Sequence, residues 1–237
     1  MLSIYKGYII ANYICSEIFK LKNQHIQNLN LKMDLFQGDC LDKLKQINDN
    51  SIDLIVTDPP YNNISCSQYA PEFYRVLKDG SHCYIMTNHI NLIEMLNTFT
   101  SNGFHFIKSL IWNKGNKIMG LYYMSQFEYI LFFRKGKGIQ IKNCGTSDIL
   151  DIPNKKTKDK DGNNIHDTEK PVKLMEILIE NSSKENDIVL DPFMGSGSTG
   201  VACVNTNRNF IGVELDENYF NIAKERINKN TNQLTLF

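Results

Sequence analysis

The chain has 237 residues with 26 basic and 26 acidic side chains. It is long enough for one α/β domain with a sizeable core, and its zero net charge gives no global signature of a polyanion-binding protein. Six scattered cysteines (15, 40, 66, 83, 144 and 203) show no Cys-x-x-Cys or His/Cys ligand spacing, which argues against a metal site and for a reduced cytoplasm, and no apolar run reaches the length of a membrane span.

Residues 1–32 read as an N-terminal extension. Tyr5 to Ile18 is mildly apolar but interrupted by Asn12 and Glu17, with no convincing cleavage site, so an extra helix and an early start codon both remain open. From Met33 the pattern becomes regular. A strand at Asp34–Gly38 leads to a helix around Leu41–Ile47, then to the apolar strand Ile52–Thr57. A helix around Ala70–Leu77 precedes a strand at His82–Met86. Leu92, Met95, Leu96 and Phe99 fall at helical spacing, and Gly103 can end that helix. Phe104–Trp112 and Glu128–Arg134 read as two further strands, with Trp112 favoured as a core residue over a stacking one.

Residues 135–165 lose periodicity and read as loop, partly mobile. Pro171 can open a helix whose Val172, Leu174, Met175, Leu178 and Ile179 are apolar. The strand Ile188–Leu190 ends at Asp191, a helix follows Gly200, Phe210–Val213 ends at Glu214, and Asp216 caps a last helix with Tyr219, Ile222, Ala223 and Ile227 on one side. Alternating strands and helices predict a mostly parallel sheet covered on both faces.

Two strand exits carry chemistry. Asp58-Pro59-Pro60-Tyr61 follows the second strand. Its carboxylate can accept a hydrogen bond from an amine, its prolines fix a backbone carbonyl beside it, and its ring can stack on a flat base. Near the other end, Asp191-Pro192-Phe193-Met194-Gly195-Ser196-Gly197-Ser198-Thr199-Gly200 has the order of a nucleotide-cofactor turn. Strand, glycines, helix, strand and the acid Glu214 follow in sequence. Only 37 residues follow Gly200. A dinucleotide fold opening on this fingerprint needs more strands downstream, so the catalytic half comes first and the cofactor half last.

With that order and both motifs unsubstituted, the chain resembles the β-class, permuted S-adenosylmethionine-dependent DNA amino-methyltransferases over about Met33 to Asn228. His166-Asp167-Thr168-Glu169-Lys170-Pro171 and Phe36-Gln37-Gly38-Asp39-Cys40-Leu41 match lesser motifs of the same family. The resemblance implies a Rossmann-like methyltransferase fold, circularly permuted, with a seven-stranded-type, mostly parallel sheet, helices on both faces and an antiparallel closing pair. It implies transfer of a methyl group to adenine N6 in double-stranded DNA, with cytosine N4 as the alternative and a catalytically idle DNA- or partner-binding subunit as the reading from another class. RNA and protein-amide methyltransferases share related proline motifs but place the cofactor motif first. Attack on cytosine carbon-5 needs a cysteine nucleophile, and the sequence has no Pro-Cys pair.

Asp58 and the Pro59 carbonyl would then draw the amine toward tetrahedral geometry, with Pro60 stiffening the turn and Tyr61 stacking on a flipped base. S-adenosylmethionine would lie against Asp191, Phe193, Gly195, Ser196 and Gly197, with Glu214 on its ribose hydroxyls. Asp39 and Cys40 match positions near its adenine, and His166, Thr168 and Lys170 match those near its methionine moiety. Asp39 as a turn acid, and the latter three as a solvated helix start, are the plainer readings.

Residues 135–165 are short for the family's target-recognition insertion, which hints at a short target or a homodimer. Lys108, Lys114, Lys117, Arg134, Lys135, Lys137 and Lys142 face only Glu128 over their span, and read either as a phosphate contact or as a solvated surface. Residues 229–237 read as a flexible tail ending in Gln233-Leu234-Thr235-Leu236-Phe237. These resemble a pentapeptide that docks on the bacterial sliding clamp, unless the tail folds back on its own domain. Richness in Ile, Asn and Lys is compatible with an AT-rich bacterial or phage genome.

Overall fold

In the computed structural model, residues 31–61, 65–119, 121–154 and 169–235 are described. Fourteen elements are assigned among them. The strands are β1 (Met33–Gln37), β2 (Ile52–Thr57), β3 (Leu77–Thr87), β4 (His105–Ile118), β5 (Ser125–Arg134), β6 (Ile149–Asp151), β7 (Ile188–Asp191) and β8 (Asn209–Glu214). The helices are α1 (Cys40–Leu44), α2 (Cys66–Val76), α3 (Leu92–Ser101), α4 (Val172–Ser182), α5 (Ser198–Asn205) and α6 (Glu217–Thr235). They form one eight-stranded sheet in the order β1-β8-β7-β2-β3-β5-β4-β6. Only β5 runs against its neighbours, so the expected antiparallel pair is present.

Strand β2 explains the layering. Side chains along a strand alternate in direction. Leu54 and Val56 join the apolar cluster built with α4, α5 and α6, including Leu178, Val201 and Ile227. Ile55 points the other way, into the cluster with Leu44, Phe73, Phe99 and Phe133 from α1, α2, α3 and β5. Both clusters are closed to water, so β2 reads as a continuous apolar run rather than an alternating one.

The order of the sheet brings the two motif strands together. β2 pairs in parallel with β7 through Leu54–Val189 and Ile55–Leu190. From that pair the chain moves out in opposite directions, β7 to β8 and β2 to β3, with α5 and α2 crossing opposite faces. The divergence opens a crevice at the strands' carboxyl ends, where doubly wound sheets bind ligands. Asp58 and Asp191 are among the residues that line it.

Three expectations change. The segment from 135 is not loop throughout: Ile149–Asp151 pairs with β4 as an eighth strand, and Lys142 N–H bonds the Asn181 carbonyl at 2.8 Å. The last helix continues in its backbone through Thr235, so the flexible tail expected from 229 is helical to that point. Leu236 and Phe237 lie outside the described residues, as do 1–30, His166 and Thr168. The basic stretch does not form a single solvated face either, because Lys114 and Lys135 are buried. Lys135 is buried and donates to Asn50, Tyr74 and Leu77, Lys108 pairs with Asp148, and Lys114 pairs with Glu128.

Candidate active site

A cleft of about 1,230 Å³ runs along the carboxyl ends of β1, β8, β7 and β2. That exceeds the usual range for one small ligand, roughly 300–1,000 Å³. Asp58, Pro59, Pro60 and Tyr61 line one part, and Asp39, Cys40, Asp191, Phe193, Gly195, Ser196 and Glu214 line the other. Lys170, Trp112, Lys114 and Glu128 close it near Asp58.

Asp58 is the centre of the first part. The Tyr61 hydroxyl donates to its Oδ1 at 2.8 Å, and the Lys170 ammonium bonds its Oδ2. Burial and then the Asp58 charge push the Tyr61 phenol well up, so it stays protonated and acts as a donor. Burial alone would lower the Lys170 pKa, but Asp58 and Glu128 outweigh it and hold the ammonium above its ordinary value. Glu128 Oε2 lies 3.4 Å from Lys170 Nζ, yet it makes no well-directed hydrogen bond and is closed to solvent. Its other oxygen pairs with Lys114 at 2.5 Å. The Trp112 ring sits beneath both ammonium groups, 5.4 Å from Lys114 and 5.9 Å from Lys170. Trp112 is fully buried and donates to the Ile152 carbonyl, in keeping with its favoured core role.

The glycine turn builds the second part. Gly195 takes a positive φ of 52°, and its N–H donates to Glu214 Oε2 at 2.9 Å. Asp216 N–H donates to Glu214 Oε1. Each oxygen of Glu214 therefore uses one of its two acceptor directions, and the remaining pair suits two adjacent hydroxyls. Asp39 caps α1 through Leu41 and Asp42 N–H groups while still lining the cleft. Burial, then the nearby Asp39 charge, pushes the Cys40 thiol up to about 12, so it is no nucleophile. Arg226 of α6 holds both the carbonyl and hydroxyl of Ser196 and reaches Glu169 at 2.6 Å. That network ties the Glu169-Lys170 segment to the glycine turn.

Of three residues expected at the cofactor, Asp191 and Lys170 line the cleft but are also held by protein groups, and Gly197 does not line it. Asp191 is enclosed, accepting from Thr57 at 2.7 Å, Thr199 at 2.6 Å and the Phe193 N–H. Burial pushes its pKa up to about 6. It clasps the end of β2 to the start of α5, one residue before Asp58. Gly197 does not line the cleft; a Cβ there would stand 2.9 Å from Ala223 Cβ, so its bareness serves the packing of α6. Lys170, expected beside the methionine moiety, lies on the Asp58 carboxylate.

The residues not foreseen are Thr57, Thr199, Lys114 and Glu128. An acid inside the apolar run Phe127-Glu128-Tyr129-Ile130-Leu131 was the available signal for the last. A carboxylate among aromatic and aliphatic neighbours needs a buried cation.

A family model described as DNA methylase, of the N6/N4 type, matches residues 52–225. The type II methyltransferase M.HinfI of Haemophilus influenzae is 28% identical over 81% of this chain and 67% of its own length. The crystal structure of an M1.HpyAVI–S-adenosylmethionine complex is 30% identical, covers 82% of this chain and 99% of that one, and superposes with a TM-score of 0.70. The cytosine-N4-specific PvuII DNA methyltransferase has a TM-score of 0.71 at 18% identity, covering 88% and 97%, which shows the shared fold.

Proposed function

We infer the reaction from one premise: the chain belongs to the N6/N4 DNA methylase family. We propose that it methylates the N6 amine of adenine at a specific sequence in double-stranded DNA, with S-adenosylmethionine as donor. The observation that carries this is the placement of Asp58, at the exit of β2, in the same cleft as the Glu214–glycine turn.

The cleft fits that donor. Glu214 retains an acceptor on each oxygen that would suit ribose hydroxyls, Gly195 and Ser196 line the adjacent wall, and Asp39, Cys40 and Phe193, which line the same cleft, would face its base. Asp39, Glu214, Asp216 and Glu217 give this side of the cleft an acidic lining suited to a cationic ligand. When bound, S-adenosylmethionine supplies a methyl group already activated by its sulfonium charge.

The protein has to prepare the other partner. An exocyclic amine is a weak nucleophile because its lone pair is delocalised into the ring. Asp58, with the Pro59 carbonyl beside it, would accept hydrogen bonds donated by the amine and pull the nitrogen toward tetrahedral geometry. The same carboxylate faces the positive charge that would develop on nitrogen as its bond to the methyl carbon replaces the sulfur–carbon bond, the neutral thioether being the leaving group and the surplus nitrogen proton passing to water. Positioning and electrostatics supply the acceleration, and no covalent enzyme intermediate is needed. Because the amine is paired inside the duplex, the base has to leave the stack, and Tyr61 offers its ring as the surface that receives it. The aspartate form of the Asp-Pro-Pro-Tyr motif is the commoner one among adenine enzymes, which favours adenine over cytosine.

The test is mass spectrometry of nucleosides from unmethylated DNA incubated with the protein and S-adenosylmethionine, beside an Asp58→Ala control. New N6-methyladenine absent from the control is the expected result. N4-methylcytosine would overturn the choice of base, and no modified nucleoside would overturn the reaction.

A further inference from the structure

Four charged side chains alternate in sign along one wall of the cleft: Asp58, Lys170, Glu128 and Lys114. The chain of contacts is asymmetric. Lys170 is 9% exposed and bonded to Asp58, while the nearest oxygen of Glu128 stands 3.4 Å away without a directed hydrogen bond. Lys114 holds the other Glu128 oxygen, which leaves Oε2 as the acceptor aimed at Lys170.

In this state both oxygens of Asp58 are engaged, one by Tyr61 and one by Lys170. A carboxylate neutralised by an ammonium at contact distance presents little field to a cation developing on a substrate nitrogen. The amine also has to compete with a charged donor for Oδ2. Catalysis therefore benefits if the ammonium withdraws without leaving the enclosed wall, and a second carboxylate stands ready to receive it. The face of Trp112 lies beneath this wall, keeping a cation stabilised along the path.

We propose that Glu128 is a positioning residue for methyl transfer: it draws the Lys170 ammonium off Asp58 as the target amine enters, uncovering the carboxylate for the reacting nitrogen. Lys114 orients Glu128 for this task. The inference rests on Asp58 being the acceptor for the amine. No proton or electron changes hands in the step; one hydrogen-bonded ion pair is exchanged for another.

The experiment is a double-mutant cycle on the full chain, reading the single-turnover rate of labelled methyl transfer from S-adenosylmethionine to unmethylated bacterial DNA. The proteins are wild type, Glu128→Gln, Lys170→Met and the double variant, each checked by thermal melt and by its Kd for the cofactor. Glu128→Gln should slow transfer at least tenfold with cofactor and DNA Kd unchanged, and that loss should vanish in the Lys170→Met background because Glu128 acts through Lys170. Equal losses in both backgrounds would overturn the proposal. A Lys170→Met rate below detection would also overturn it, since a cation that has to withdraw cannot be required. If Glu128→Gln does not fold, Glu128→Asp takes its place, with a rate below wild type that Lys170→Met again equalises. Failure of the underlying reading looks different: wild type would bind the cofactor but leave DNA unmodified, or Asp58→Ala would remain active, and either result removes the proposal as well.

Discussion

Asp58 and Asp191 end adjacent strands, yet their surroundings give them opposite tasks. Asp58 faces the cleft with a tyrosine and a lysine on its oxygens, whereas Asp191 is enclosed by two threonine hydroxyls and a backbone N–H. Asp58→Asn keeps the shape and removes the charge, and should lower the methyl-transfer rate by about 10²–10³-fold while leaving the thermal melt close to wild type. A melt lowered in proportion would instead mark Asp58 as a structural residue. Asp191 predicts a pH effect on stability. Its carboxyl titrates near 6 when folded because burial disfavours the anion, and near 3.9 when unfolded. The folded state therefore holds its proton more tightly. The stability this contributes is complete below about pH 4 and is lost as pH rises through about 6. Asp191→Asn, which cannot ionise, should gain on wild type between pH 4.5 and pH 8, by about 2 kcal/mol if its amide satisfies the same threonines. Urea unfolding of both proteins at the two pH values reads that difference, and a difference that does not change with pH would contradict the assignment. Tyr61→Ala tests the stacking surface: its loss should weaken productive DNA binding by about 1–3 kcal/mol, whereas Tyr61→Phe, which keeps the ring, should lose much less. Equal DNA KM values for the two variants would count against stacking.

The helix that follows the glycine turn shows how a legible pattern can conceal its reason. Glycine spacing after β7 marked a cofactor turn in the sequence, and Gly195 lines the cleft there and bonds Glu214. Gly197 and Gly200 face helix α6 instead: added Cβ atoms would stand 3.0 Å from the Ala223 backbone and 2.3 Å from Ile227 Cδ1. Gly197 also takes a φ of 84°, in the left-handed region. Gly197→Ala should therefore cost about 2–4 kcal/mol, from backbone strain and overpacking together, read as a fall in the urea midpoint. A change below about 0.5 kcal/mol would show that α6 yields easily. Strand β2, helix α3 and the Asp216 cap were readable because one local rule governs each: a closed apolar run, a 3.6-residue spacing, and a side chain bonding two N–H groups. Strand β6 was not readable. Three residues show no period, and only the distant edge of β4 makes them a strand. Lys114, Glu128 and Lys135 were hidden for a related reason, since charge normally signals solvent and only the fold shows that these charges are buried beside partners. Asp58 and Glu214 stood out because their neighbours in sequence were already part of the site.

Across the whole molecule, the order of the halves along the chain matters less than where their strands end. β2 precedes β7 by more than a hundred residues, yet the two strands pair and Thr57 bonds Asp191 across that gap. The cleft is thus shared by two apolar clusters that a ligand would brace together. A ligand that binds only the folded state stabilises it by mass action, about 2.7 kcal/mol when present at a hundred times its Kd. For a domain of this size that corresponds to a rise in Tm of roughly 5–10 °C. S-adenosylmethionine should produce such a rise in the wild type, growing with the logarithm of its concentration. Glu214→Ala removes the carboxylate that braces the glycine turn and would receive the ribose; it should lose most of the rise. Asp58→Asn, changed on the other side of the cleft, should retain it. If neither wild type nor Asp58→Asn responds to S-adenosylmethionine, the assignment of the glycine-turn side of the cleft fails. If Glu214→Ala responds fully, the donor is held by the Asp39 side alone.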